Sequence, residues 1–67
     1  MDTIETKKVV IKKYVDEEGW RETTLEDAIE HLEGSGYWKP GTVQGLLEDG
    51  ATVWNPFAHY QMIDVVI

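Results

Sequence analysis

Asp27 and His31 stand four residues apart, the spacing that sets two side chains side by side on one helix face. A carboxylate beside an imidazole can move protons, provided a pocket holds both near a reacting group. The surrounding pattern places this pair elsewhere. Leu25, Ala28, Ile29 and Leu32 recur at i, i+3, i+4 and i+7 and mark the inward stripe of a helix. Asp27 and His31 fall outside that stripe and read as a solvated pair. Ser35 lies in a glycine turn with no His or Asp at a recognisable nucleophile spacing. Asp16, Glu17 and Glu18 are consecutive, so they lack the alternating oxygen ligands of a calcium loop. With no Cys and only His31 and His59 as imidazoles, a tetrahedral metal site is not expected. No phosphate loop appears. The expectation is a protein that is not an enzyme and carries no cofactor or metal.

What remains is charge. Thirteen acids face six bases, a formal net charge of -7. Residues 1–15 sum to +2 and residues 16–49 to -8. Such a field repels nucleic acid and anionic membranes and attracts basic surfaces. On the helix that starts near Leu25, the acids Glu26, Asp27, Glu30 and Glu33 fill one sector beside the apolar stripe. Glu26 and Asp27 sit in the first turn, where the helix dipole favours them. Glu30 and Glu33 have no such local reason. Glu30 repeats the charge of Glu26 at i+4, and Glu33 lies at the end the dipole opposes. Local disagreement of this kind points to function.

Glu22, Glu48 and Asp49 extend the candidate binding set, with Trp38 as an aromatic anchor. The reading this supports is a small acidic protein-binding protein. It would act as an inhibitor that covers a nucleic-acid-binding surface of a basic target by charge mimicry. In size and charge the chain is similar to small acidic inhibitors of phages and mobile elements, although no motif ties it to any of their families.

Two alternatives stand beside that reading. One is a protein-interaction or homodimerising module without mimicry, its terminal strand pairing with a second copy. The other is RNA or single-stranded DNA contact through Lys7, Lys8, Lys12 and Lys13, with Tyr14 stacking on a base. A helix-turn-helix is disfavoured, because PGTVQGLLEDG has neither Lys nor Arg to meet phosphates.

The elements that must position these residues follow from periodicity and punctuation. TKKVVIKKYV (6–15) is β-branched and alternating, hence a strand. It sets Val9, Ile11 and Val15 on one face. Lys8, Val10, Lys12 and Tyr14 fall on the other, expected to be mostly wet. DEEG turns the chain at Gly19, and WRET pairs back as a hairpin. Thr23 or Thr24 caps the first helix, and Gly34 is its natural C′ residue. Pro40 opens a second helix that runs to about Asp49, with Val43, Leu46 and Leu47 inward. Gly45 within it suggests close backbone packing, on Ala28. ATVWN and AHYQMIDVVI are strands.

The order is ββααββ over a single domain, residues 1–67. The fold class is α+β, with two helices on one face of an antiparallel or mixed sheet. No apolar run approaches the ~18 residues of a membrane span. MDTIETKK lacks an apolar signal core. The absence of Cys suits a reducing compartment, so a soluble cytoplasmic protein is expected. A core of this size rarely yields more than ~3–5 kcal/mol unaided, which is a further reason to expect self-association.

Overall fold

The structure, a computed structural model, describes residues 3–67. It is an α+β fold of four strands and two helices: β1 (Thr6–Tyr14), β2 (Arg21–Thr23), α1 (Leu25–Leu32), α2 (Val43–Glu48), β3 (Val53–Trp54) and β4 (Ala58–Val66). The sheet order is β2-β1-β4-β3 and every pairing is antiparallel. Among the described residues no helix is long and apolar enough to cross a membrane.

The register decides which residues share a face. Val10 lies opposite Met62, Lys12 opposite Tyr60, and Tyr14 opposite Ala58. Thr23 joins that face opposite Val10, and Val53 joins it opposite Tyr60. Both helices pack there. The core comprises Val10, Val53, Ala58 and Tyr60 from the sheet, with Ala28, Leu32, Val43 and Leu47 from the helices.

This reverses the expected orientation of β1. The Lys8, Val10, Lys12, Tyr14 face is the covered one, and the Val9, Ile11 face stays open. Both faces of β1 carry aliphatic residues, so charge had to break the tie, and Lys12 misled. Its stem is covered while its ammonium meets Asp27 of α1 at 3.1 Å, which lets a lysine belong to a packed face.

The punctuation of α1 falls where expected and that of α2 does not. Of the two candidate caps, Thr24 is the N-cap of α1, its hydroxyl accepting from the Asp27 N–H at 3.1 Å. Gly34 follows the C-cap Glu33 as the C′ residue, as expected, and the left-handed turn comes two residues later at Gly36, φ 82°. Gly34 also serves close approach, because a Cβ there would run into the Glu30 carbonyl oxygen. Pro40, expected in the first turn of α2, falls outside the helix, which starts at Val43 after a turn through Gly41 at φ 85°.

β1 and β4 are far longer than their flanking strands. β2 pairs with Val10–Lys12 alone, and β3 with His59 and Tyr60 alone. The rest of the β1–β4 ladder, from Thr6–Val9 to Ile63–Val66, extends as a two-stranded ribbon. It stretches the molecule to 47 × 28 × 16 Å, with a radius of gyration of 12.9 Å. Size scaling gives about 11 Å for a compact chain of this length.

Candidate functional site

The acid face of α1 divides in two. Asp27 is turned into the structure. Its carboxylate accepts from the Thr23 hydroxyl at 2.6 Å and from Lys12 Nζ at 3.1 Å. Burial pushes this carboxyl up, but the Thr23 hydrogen bond and the Lys12 charge outweigh it and hold Asp27 below its ordinary value. Tyr14 does most to hold the Lys12 ammonium above its ordinary value. Burial opposes that rise and Asp27 adds to it. Lys12 Nζ also lies over the Tyr14 ring, 5.1 Å from its centroid, within cation–π range. Asp27 is therefore not the solvated partner of His31 that its helical position suggests, although His31 Nδ1 does lie 2.9 Å from its carboxylate.

Glu33 is also engaged. Its two carboxylate oxygens accept from the N–H of Gly41 at 2.9 Å and of Val43 at 3.0 Å. Those donors belong to the start of α2, where the Thr42 hydroxyl does not cap the helix but donates to the Lys39 carbonyl. Glu33 thus caps α2 from the end of α1. The expectation that Glu33 has no structural reason is overturned, because its partners lie on a neighbouring element rather than on its own helix.

Glu26 and Glu30 remain exposed on α1, as do Glu48 and Asp49 at the end of α2. Glu22 lies opposite Ile11 in the β1–β2 register. It is on the face away from the helices and so is separated from the α1 acids. Glu17 of the first turn pairs with Arg21 at 2.5 Å.

Trp38 is half-buried against the core. Its indole N–H donates to the Trp54 carbonyl at 2.7 Å, which fixes the α1–α2 connection to β3. Beside it opens a groove of about 570 Å³ lined by Tyr37, Trp38, Lys39, Thr42, Gly45, Leu46 and Asp49. Gly45 does not pack closely on Ala28 as expected: a Cβ there would meet nothing within 4 Å. It forms part of an open wall instead. Sequence reasoning missed Tyr37, Thr42 and Leu46 as a set. The one signal pointing at them was a glycine inside a helix, where it costs about 1 kcal/mol against alanine.

Asn55 was missed altogether. It is buried, donating from Nδ2 to the His31 carbonyl at 3.1 Å and accepting from the Phe57 and Ala58 N–H groups at 2.8 Å. Its role is to lock the β3–β4 turn to the end of α1. On β1, Lys12 is bound to Asp27 and the Tyr14 ring packs against the core. Two groups that nucleic-acid contact would use are thus committed internally.

No protein family, curated protein or solved structure matches the chain. Among the described residues no group of three or more His, Cys, Asp or Glu side chains is placed to hold a metal.

Proposed function

We propose that this protein is a small acidic binding protein that engages a basic protein partner at the helical layer. An apolar side chain of the partner enters the groove beside α2. Asp49 at the groove, its neighbour Glu48, and Glu26 and Glu30 of α1 then meet Lys or Arg around it. The observation that carries this reading is Gly45. Neither its backbone conformation nor its packing requires glycine, yet it holds open a groove lined by Tyr37, Trp38 and Leu46. A stability loss without a structural reason, placed at an aromatic concavity, supports a binding role.

The finer proposal is that the covered surface of the partner is one that binds nucleic acid, with the exposed carboxylates standing in for phosphates. The charge of -8 over residues 16–49 supports it. The array is narrower than the sequence suggests, since Asp27 and Glu33 serve the fold.

The test is affinity capture from a host lysate with salt-gradient elution, run alongside Gly45→Leu and Glu48→Lys/Asp49→Lys. A basic partner eluting at moderate salt and lost in both variants is the expected result. A partner that survives high salt and both substitutions overturns the reading.

A further inference from the structure

The far end of β4 carries backbone groups that no described residue uses. Asn55 N–H donates to the Ala58 carbonyl at 3.0 Å, so Ala58 aims its backbone groups toward β3. Val15 N–H donates to the Phe57 carbonyl, and Ile67 N–H to the Glu5 carbonyl. The odd-numbered residues of β4 therefore face β1. Strand alternation then directs the N–H and C=O of Met62, Asp64 and Val66 to the β3 side. There β3 has already ended, since Val53 lies opposite Tyr60. Among the described residues these groups have no backbone partner.

We propose that this edge pairs with the same edge of a second copy, joining two four-stranded sheets through an antiparallel β4–β4 seam. Only an extended strand can satisfy a row of alternating donors and acceptors. A second copy matches it without adjustment. A twofold axis perpendicular to the sheet at Asp64 brings Met62 against Val66 of the second copy, and Asp64 against Asp64. All of these residues point their backbone groups outward. On the open face, Ile63 meets Val65 of the second copy, so the apolar surface of Val9, Ile11, Ile63 and Val65 runs across the seam.

Composition distinguishes this edge from the other one. The free end of β1 carries Lys7 and Lys8, a common device against edge pairing. Met62–Ile67 has no Lys or Pro, and Val66 and Ile67 are about 70 % exposed. A two-stranded ribbon is marginal alone in water, so the seam gives the projecting ladder the neighbour it lacks. Asp64 against Asp64 is the unfavourable contact, relieved by Lys8, whose Nζ lies 3.4 Å from the Asp64 carboxylate. The seam is short against the roughly 1,200–2,000 Å² of a stable interface. The dimer is therefore weak and concentration-dependent. None of this depends on the groove beside α2.

Sedimentation equilibrium of the intact protein over a roughly hundredfold concentration range tests the proposal. Wild type should move from monomer to dimer mass. Asp64→Asn should bring the midpoint about two- to fivefold lower in concentration. Val66→Pro removes an outward N–H and no bond of the β1 ladder, so it should stay monomeric while its dilute-solution circular dichroism remains that of wild type. If Val66→Pro fails to fold, hydrogen exchange decides: the Met62, Asp64 and Val66 amides of wild type should slow as concentration rises. A monomer throughout, a dimer indifferent to Asp64→Asn and Val66→Pro, or amide exchange independent of concentration overturns the proposal. So does a strand from a different protein binding this edge in place of the second copy.

Discussion

The β1–β4 ladder carries two lysine–carboxylate contacts on the same face, and they live in different surroundings. Under the helices, Lys12 and Asp27 are 3.1 Å apart, with side chains 14 % and 24 % exposed. On the bare ribbon, Lys8 and Asp64 are 3.4 Å apart at 57 % and 61 %. The first pair is braced by Thr23 and Tyr14, and its ionisation is tied to the fold. The second moves in water, where such contacts contribute little. One strand thus serves as the floor of a core at one end and as a free arm at the other. What separates the two ends is the coverage that α1 and α2 provide, not any change in strand propensity.

The largest effect that can break this contrast is in the core. Leu32→Ala, at a fully buried position, should lower stability by about 2–5 kcal/mol. That is most of what a chain of this size holds. Val66→Ala on the arm should change it by less than about 0.5 kcal/mol. Urea unfolding of both variants, in dilute solution, measures the difference. Equal losses would mean that the arm belongs to the core.

The two ion pairs give the next test. Asp27→Ala leaves Lys12 and Thr23 without their acceptor and should lower stability by about 1.5–3 kcal/mol. Lys8→Ala should cost about 0–1 kcal/mol. The same comparison appears against pH. Because Asp27 is held below its ordinary 3.8 in the fold, its stabilisation is complete above that value and disappears as pH falls through the lower folded one. Lys12 is held above 10.5, so its share is present below 10.5 and is lost as pH rises through the higher folded value. Thermal melting across pH should show an acid limb that flattens in Asp27→Ala and keeps its shape in Lys8→Ala.

The finest contrast is between Glu33 and Glu30, three residues apart on one helix. Glu33→Ala removes the acceptor for two N–H groups at the start of α2 and should cost about 1–2 kcal/mol. Glu30→Ala relieves a like-charge neighbour and should stabilise by a few tenths of a kcal/mol. Gly45→Ala, meeting only open space, should add about 0.5–1 kcal/mol. Denaturation midpoints of the three variants order them, and a destabilised Gly45→Ala would refute the view that the position is free of packing.

The six elements were legible because punctuation surrounds them. Gly19 turns β1 into β2 at φ 96°, Gly50 closes α2 at φ 88°, and Thr24 starts α1. Faces were less legible. Period-two alternation places residues on two sides of a strand without saying which side a helix will cover, and Lys12 disguised the covered one. The engaged acids were legible least of all. Position on a helical wheel describes the neighbours of Glu33 within α1, whereas its partners arrive from Gly41 and Val43 after the chain has turned. The groove hides for the same reason, since Tyr37 and Trp38 precede the helix whose Gly45 and Leu46 complete it.

The ladder has one further consequence, for the order of events in time. It joins the first strand to the last, with Thr6 opposite Val66 and Tyr14 opposite Ala58. Nearly the whole chain must be looped before any of those bonds can form, which places this small protein among slow folders for its length. The β1–β2 hairpin, α1 and the β3–β4 turn locked by Asn55 can all arise locally. Beyond Tyr60, β4 then waits with both edges bare until β1 arrives, so the rate of that closure, set against protein concentration, determines how much of a refolding sample reaches the native sheet and how much aggregates.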